Sequence, residues 1–399
     1  MRWSSAGKLA SIPGEGLSRA VGKRCFGVAQ RRGPQGDGFW HAGVERFSAA
    51  MPTLFLIGAL AAEVSAPISL REAAQHSGML IGTAVRPAQL SEAAYAATLG
   101  REFNMLEPED ALKWEVLRPD LKSFDFSQAD QIVDFAARHD MKVRGHTLVW
   151  HQQNPVWLTA AHYTPEQLAQ LLETHIKTVV GHYRGKIFAW DVANEAFDEG
   201  KNAGRLRSTL WYDQPGIGFS GQGPAYLAQC FRWAHEADPQ ALLFYNEAEA
   251  EEINPKSDAI YAMVRAFLRD GVPIDGIGFQ MHIGNLHANI PSISANIARF
   301  TSLGLQVHIT EMDVALPVDA NGNASSEDLA RQADIYRQVA EACLSHPGCT
   351  AIQTWGFTDK YSWIGSHSKH TQGAALPFDR NFHSKPAHEA LSQVLSKHR

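Results

Sequence analysis

Short apolar runs alternate with amphipathic stretches along the chain from Ser65 onward. Eight of these runs have the length and the continuous hydrophobicity of strands that are buried on both faces. They are Leu80–Val85, Glu102–Leu106, Lys142–Trp150, Ile187–Asn194, Ala241–Asn246, Gly276–Ile283, Leu305–Val314 and Ala351–Phe357. The pattern therefore predicts eight buried strands.

The amphipathic stretches that separate these runs predict helices. In Thr164–Gln167 the threonine can cap a helix, the proline suits its first turn, and the glutamine completes a capping box. The other predicted helices are Phe126–His139, Tyr226–Ala237, Ser257–Asp270, Ile293–Leu303, Ser326–Leu344 and Pro386–Lys397. Strands that alternate with helices in this way favour a single α/β domain, a (β/α)8 TIM barrel over residues 67–399, rather than a doubly wound sheet.

The first 66 residues follow a different pattern. Residues 1–50 show no sustained helical or strand period, which predicts a disordered leader or a true translation start further downstream. Residues 51–66 contain an apolar run that is too short to span a bilayer and that ends in Val64-Ser65-Ala66, a sequence typical of signal-peptidase sites. This segment predicts a secretory signal and a secreted or periplasmic mature protein without a membrane anchor. An ordinary apolar patch in a leader is the alternative.

Charge and cysteine content narrow the function further. The net charge of -6 argues against a nucleic-acid-binding protein that works by neutralising phosphates, so a neutral or small partner is expected.

Cys343 and Cys349 flank His346-Pro347-Gly348, a segment that can turn the chain back on itself. In an exported protein this pair can form a disulfide, whereas two isolated buried thiols are the alternative.

Polar residues stand at the ends of the predicted strands, where barrel enzymes place their chemistry. The second to eighth strands end in Glu109 and Lys113, His146 and Gln153, Asn194 and Glu195, Asn246 and Glu247, Gln280 and His282, Glu311 and Asp313, and Trp355 and Asp359. Any one of these acids alone is more often a helix cap or an ion-pair partner. Their convergence on one end of the barrel predicts an active site.

Two carboxylates across a barrel mouth are what glycoside hydrolysis requires. One protonates the leaving oxygen, and the other stabilises or attacks the anomeric carbon. Glu195 and Glu311 end the fourth and seventh strands and are the candidates. Trp150, Trp355 and Trp363 suit the apolar faces of sugar rings, with core packing as the alternative for each.

Four segments of the chain resemble the signatures of family-10 glycoside hydrolases, the endo-β-1,4-xylanases. They are Arg144-Gly-His-Thr-Leu-Val-Trp-His151, Trp190-Asp-Val-Ala-Asn-Glu195, Val307-His-Ile-Thr-Glu-Met-Asp313 and Thr354-Trp-Gly-Phe-Thr-Asp-Lys-Tyr-Ser-Trp363. The resemblance covers about residues 70–397, and the four motifs occur in order on the expected strands. It implies an enzyme that cleaves internal bonds of xylan with retention of configuration.

The resemblance also implies roles for individual residues. Glu195 would be the acid/base and Glu311 the nucleophile, Asn194 would hold the sugar 2-hydroxyl, and His282 and Asp313 would orient and tune the nucleophile. The positions that match substrate-binding or supporting residues are Glu109, Asp110, Lys113, His146, Trp150, Gln153, Asn246, Gln280, Trp355 and Trp363. The implied partners are xylan and xylo-oligosaccharides bound by a monomer, with no nucleic acid, no metal and no organic cofactor.

Several positions depart from the family pattern. Asp110 stands where an asparagine is usual, so an acceptor-only carboxylate replaces an amide that both donates and accepts. Glu247 stands where an aspartate is usual, and Ala248-Glu249 where an aromatic residue or asparagine often follows. We therefore expect altered hydrogen bonding in the distal glycone subsite and weak or different binding of the leaving-group side.

Three alternatives remain beside a xylanase. The histidines suggest a metal-dependent barrel hydrolase, which a chelator would distinguish. A barrel that binds polysaccharide without cutting it has no physical reason to keep two facing glutamates. A cellulase is the alternative among enzymes.

For a retaining enzyme we expect the Glu195 and Glu311 carboxyls to lie roughly 5 to 5.5 Å apart. We also expect the pKa of Glu195 to be raised and Glu311 to be kept ionised by His282.

Overall fold

The structure is a computed structural model that describes residues 68–397, so the predicted leader and signal segment lie outside the described residues. Its core is a ring of parallel strands in which each strand pairs with the next along the chain. The strands are β1 (Leu80–Val85), β2 (Met105–Pro108), β3 (Lys142–Gly145), β4 (Ala189–Asn194), β5 (Leu242–Glu247), β6 (Gly276–Phe279), β7 (Gln306–Val314) and β8 (Cys349–Thr354). Because β8 pairs with both β7 and β1, the ring is closed and the predicted (β/α)8 barrel is confirmed.

Helices connect the strands. They are α1 (Leu70–Ser77), α2 (Ala93–Glu102), α3 (Trp114–Leu117), α4 (Ser127–Arg138), α5 (Val156–Thr159), α6 (Pro165–His182), α7 (Ala225–Ala237), α8 (Pro255–Arg269), α9 (Ile290–Thr301), α10 (Ser326–Leu344), α11 (Ile364–His367) and α12 (Pro386–Lys397). The predicted capping box begins α6, since Thr164 Oγ1 and Gln167 Oε1 each accept from the other residue's backbone N–H. Within residues 68–397, no helix has the length and apolarity needed to cross a membrane.

Several predicted strand boundaries are wrong. The sixth strand ends at Phe279 rather than Ile283, the eighth spans Cys349–Thr354 rather than Ala351–Phe357, and the second and third also differ. Glu102 is the last residue of α2 rather than the first of a strand, because its buried carboxylate accepts from the backbone N–H of Leu70 (3.0 Å) and contacts His388 Nε2 (3.0 Å). The third strand ends at Gly145 and not at Trp150. A β-carbon at Gly145 would lie 2.2 Å from the Trp190 ring, so only glycine permits this close approach of β3 to β4.

The two ends of the described chain meet. Helix α1 packs against α12, and Ser392 Oγ of α12 donates to the backbone carbonyl of Ile68 (3.0 Å). Leu70 is fully buried in this contact region, as is Leu391. Helix α12 therefore packs against α1 at the point where the described chain begins.

A disulfide joins Cys343 at the end of α10 to Cys349 at the start of β8. We expect the variant Cys343→Ala/Cys349→Ala to melt a few degrees below the parent protein, because the bond removes loop entropy worth about 2 kcal/mol from the unfolded chain. Calorimetry of the oxidised parent and the variant would measure this difference. An unchanged melting temperature would show that the bond contributes no stability.

Candidate active site

The predicted site residues come together at one mouth of the barrel. Glu195 follows β4 directly, Asn246 lies at the end of β5, and Glu311 lies in the C-terminal half of β7. Carboxyl ends of parallel barrel strands all open on the same face, and the loops after them complete the site. The fold therefore brings together groups that are far apart in sequence.

Two neutral donors hold the side chain of Glu195. Trp150 Nε1 donates to Glu195 Oε2 (2.9 Å), and Gln280 Nε2 donates to Glu195 Oε1 (3.0 Å). Both carboxylate oxygens are thus occupied, and the side chain has one fixed orientation.

Two other side chains hold Glu311. Asn246 Nδ2 donates to Glu311 Oε1 (2.7 Å), and His282 Nε2 lies 3.2 Å from Glu311 Oε2. The other ring nitrogen of His282 lies 3.0 Å from Asp313 Oδ2. His282 therefore bridges two carboxylates of β7, of which Glu311 is 4% exposed and Asp313 is 1% exposed.

A chain of amides connects the two glutamates. Asn246 and Gln280 each turn an NH₂ group toward a carboxylate, and each also donates to Asn194 Oδ1, at 2.9 and 3.1 Å. Because both neighbours are donors, Asn194 presents its carbonyl oxygen to them. The position of Glu195 is thereby linked to that of Glu311 through three buried amide side chains.

The expectation of a raised pKa for Glu195 is wrong for the free protein. Burial by itself raises the pKa of this carboxyl. The hydrogen bonds from Gln280 and Trp150 stabilise the anion and outweigh burial, so the pKa of Glu195 lies below its usual value. The free protein therefore holds Glu195 as a carboxylate at neutral pH.

His282 is a cation in this environment. Burial by itself lowers the pKa of the imidazole, but Asp313 and Glu311 raise it well above its usual value. With both nitrogens protonated, the ring donates to both carboxylates. His282 thus places a positive charge directly beside Glu311.

A second group of predicted residues lines the other side of the mouth. Asp110 accepts from Gln153 Nε2 (3.3 Å) and lies 3.4 Å from Lys113 Nζ. Arg86, which the sequence analysis did not single out, contacts both Glu109 (2.7 Å) and Asp110 (3.0 Å). The unusual carboxylate of Asp110 is therefore balanced by two cations rather than left unpaired.

Aromatic rings enclose the buried cation of this group. Lys113 Nζ lies 4.8 Å from the centre of the Trp150 ring and 5.5 Å from that of Trp355. The edge of the His146 ring packs against Trp355, with ring centres 5.4 Å apart. The rings and the ammonium group form a wall with both apolar faces and hydrogen-bond donors, which is the surface that a sugar ring requires.

Trp363 and Asp359, both in the loop after β8, have different roles. Trp363 Nε1 donates to Asp313 Oδ2 (2.8 Å), so this tryptophan belongs to the group around Glu311. Asp359, also predicted at the mouth, instead pairs with Lys385 Nζ (2.9 Å) and accepts from the backbone N–H of Leu376 (2.9 Å). Asp359 is therefore a structural residue.

The segment after β5 forms the other side of Glu195. Glu247 is fully buried and pairs with Lys256 Nζ at 2.9 Å. Ala248 offers no aromatic ring to a sugar, and burial raises the pKa of the neighbouring Glu249. The expected weak or altered binding on the leaving-group side stays a prediction.

The sequence analysis missed a buried charged network beneath the site. Arg144 forms a two-pronged contact with Asp191, and His146 Nδ1 lies 3.0 Å from Asp191 Oδ2. Glu107 accepts from Gln353 Nε2 (2.7 Å), and burial raises the pKa of Glu107 to about 8. The available signal was a charged residue inside each of three apolar strands, which is rare without a partner.

One group among the described residues has the chemistry of metal ligands. Ligand atoms of Glu107, His146 and Glu311 lie within 4.8 Å of one another. Gln353 already contacts Glu107, however, and Asp191 already contacts His146. We therefore expect hydrolytic activity to survive dialysis against EDTA, measured as reducing-sugar release. Loss of activity that a divalent cation restores would contradict this assignment.

Comparison with known proteins identifies close relatives. Residues 69–394 match the model of Glycosyl hydrolase family 10. The chain is 42% identical over 347 residues to Endo-1,4-beta-xylanase B of Thermotoga neapolitana, which covers 86% of this chain and 96% of that protein. Xylanase 10B from Thermotoga petrophila, solved in complex with xylobiose, superposes with a TM-score of 0.77 at 43% identity, over 83% of this chain and 98% of that one. Exoglucanase XynX of Acetivibrio thermocellus is 38% identical over 326 residues, 78% of this chain but only 28% of that protein.

Proposed function

The chain belongs to glycosyl hydrolase family 10, and on this basis we propose that it is an endo-1,4-β-xylanase in which Glu195 is the acid/base and Glu311 the nucleophile. The observation that supports the proposal most strongly is the different environment of the two carboxyls. Glu311 lies beside the imidazole of His282, whereas Glu195 has only the neutral donors Trp150 and Gln280 on its oxygens. A glycosidase needs two such carboxyls with distinct tasks.

The proposed reaction has two steps and retains the configuration of the sugar. In the first, Glu311 attacks the anomeric carbon while Glu195 gives a proton to the leaving oxygen. In the second, Glu195 removes a proton from water, which displaces Glu311 and regenerates the site. The amide of Asn194, held by Asn246 and Gln280 between the two glutamates, is positioned to bind a sugar hydroxyl.

Reducing-sugar release by residues 67–399 from xylan, compared with carboxymethyl cellulose, tests the proposed substrate. We expect release from xylan and little from the cellulose derivative, because cellulose carries a hydroxymethyl group on every sugar that tryptophans such as Trp355 and Trp363 can exclude. Mannan, a neutral β-1,4-linked glycan, serves as the control for unspecific cleavage. Equal or faster release from carboxymethyl cellulose would overturn the proposal.

A β-1,4-glucanase is the second candidate. The similarity to a protein named as an exoglucanase supports it, although the chain covers a minor part of that protein's length. The two candidates share the mechanism and differ only in the sugar. The same pair of substrates therefore distinguishes them without affecting the roles proposed for Glu195 and Glu311.

The pH dependence follows from the environment of Glu195. The acid form of this carboxyl is required for the first step, so kcat/KM should fall as the pH rises through its lowered pKa. Gln280→Met removes a donor that stabilises the anion. We therefore expect this variant to have a higher Glu195 pKa and to lose activity at a higher pH than the parent. Rate profiles with an aryl β-xylobioside would measure the shift, and a shift to lower pH would contradict the assignment.

We also propose that the protein is exported and that its mature form begins near residue 67. The apolar run in residues 51–62 and the Val64-Ser65-Ala66 sequence support this proposal. Intact-mass analysis of protein recovered outside the cytoplasm is the test. Recovery of protein that still contains residues 1–50 would overturn it.

A further inference from the structure

The backbone of Glu195 has an unusual conformation. Its φ angle is +53°, in the left-handed region that residues with a β-carbon seldom occupy. Such a conformation persists at a functional site only when the surrounding structure holds it in place. The groups that bind the two following residues are therefore candidates for controlling where the Glu195 side chain points.

Two buried side chains of β5 accept from the backbone just after Glu195. The N–H of Ala196 donates to Tyr245 Oη (2.9 Å), and the N–H of Phe197 donates to Glu247 Oε2 (3.3 Å). The Tyr245 hydroxyl in turn donates to the same oxygen of Glu247. Neither Tyr245 nor Glu247 has any solvent exposure, so water cannot replace these acceptors.

A buried lysine completes this cluster. Lys256 Nζ lies 2.9 Å from Glu247 Oε1 and donates to the carbonyl of Ala248 (2.8 Å). Its side chain is 2% exposed, and the pairing neutralises a carboxylate that would otherwise be costly to bury. Lys256 thus binds one oxygen of Glu247, and the other oxygen accepts from the Phe197 N–H and the Tyr245 hydroxyl.

The opposite side of the same backbone segment is also held. Arg207 Nε donates to the carbonyl of Glu195 (3.2 Å), and Arg207 Nη2 donates to the carbonyl of Phe197 (3.1 Å). The amides of this turn are therefore bound from β5 and its carbonyls from the loop after β4. None of these contacts touches the carboxylate of Glu195, whose oxygens bind Trp150 and Gln280.

We propose that Tyr245, Glu247 and Lys256 are positioning residues for Glu195: together they hold the left-handed turn that directs its carboxyl toward the leaving-group oxygen. This inference rests on the acid/base role proposed for Glu195. Their hydrogen bonds reach Glu195 only through the backbone, whereas the charge of Lys256 also lowers the pKa of the Glu195 carboxyl. Misplacement of a catalytic group by about 1 Å is enough to cost a large part of its effect.

The experiment separates loss of acid catalysis from general loss of structure by varying the leaving group. Tyr245→Phe removes one hydroxyl and leaves the Ala196 N–H without an acceptor. Glu247→Gln keeps the shape and removes the charge opposite Lys256. For both variants we expect kcat/KM to fall about tenfold or more with a phenyl β-xylobioside, which needs a proton on its leaving oxygen. With the 2,4-dinitrophenyl β-xylobioside, which does not, we expect a fall of less than about threefold.

Tyr183→Phe is the matched control. Tyr183 is also fully buried and also donates to a carboxylate, Asp130 Oδ1 at 3.0 Å, but it lies at the end of α6, before β4. We expect kcat/KM of this variant to change by the same factor with both substrates, whatever the stability of the variant. If Glu247→Gln does not fold, Tyr245→Phe, which loses a single hydroxyl, is the decisive variant.

The outcomes distinguish this inference from the proposed function. Equal losses with both substrates, or no loss with either, in Tyr245→Phe would assign the cluster a purely structural role and overturn the inference. Glu195→Ala measured beside it tests the premise. If Glu195→Ala lowers kcat/KM equally with the two leaving groups, the acid/base role proposed for Glu195 is wrong, independently of the result for Tyr245→Phe.

Discussion

Glu195→Ala should retain the ability to form a glycosyl bond to Glu311 when the leaving group is good. With a dinitrophenyl xylobioside the first step needs no proton, so we expect a burst of dinitrophenolate followed by slow turnover, because the second step lacks its base. With xylan, which needs the proton, we expect kcat/KM to fall about 10²- to 10⁴-fold. Stopped-flow absorbance and reducing-sugar assays measure the two quantities.

Azide should restore turnover to this variant. The cavity left by the alanine admits a small anion, which can attack the glycosyl–Glu311 intermediate without a base and release a β-glycosyl azide of retained configuration. Glu173→Ala is a suitable control, because Glu173 pairs with Lys177 on the surface of α6 and is 40% exposed. Azide rescue that gives the α-product would reverse the roles of Glu195 and Glu311.

Glu311→Ala should be inactive with every substrate, whatever its leaving group. Removing the nucleophile prevents the covalent intermediate from forming, and we expect kcat to fall by about 10⁴-fold or more even with the dinitrophenyl substrate. Of the two carboxylates that His282 contacts in the parent protein, only Asp313 remains in this variant. Mass spectrometry of substrate-treated protein should show no added sugar.

A 2-fluoro-xylobioside provides the complementary measurement on the parent protein. Fluorine slows both steps, but a good leaving group keeps the first step fast, so the intermediate accumulates. We expect a peptide containing Glu311 to carry the sugar. A labelled peptide containing Glu195 instead, or inverted product without any labelled peptide, would contradict the two-step mechanism.

The barrel and its mouth were predictable because both depend on local pattern. Buried parallel strands are continuous apolar runs, and a polar residue at the end of each run stands out against them. Glu195 and Glu311 were identified in this way. The boundary at Glu102 was not predictable, because its partners are the N–H of Leu70 and the ring of His388, 286 positions away.

The environments of the charged groups depend on contacts that the sequence does not reveal. The lowered pKa of Glu195 comes from donors 45 and 85 positions away, Trp150 and Gln280. Glu107 meets its amide partner Gln353 from 246 positions away. The residue type therefore indicated which side chains could act in catalysis. Their protonation states depend on contacts that form only when the barrel closes.

The contact between α1 and α12 has a consequence for how this domain can be rearranged. Because Ser392 Oγ donates to the carbonyl of Ile68, the described chain begins beside α12, and that helix ends only five residues, or about 7.5 Å, beyond Ser392. A short flexible linker from the end of α12 to Ile68 can therefore join the two ends of the described chain without strain, and new termini can be opened in an exposed loop such as the one around Gly322. We expect such a rearranged chain to keep the active site, because the order of the strands around the ring is unchanged.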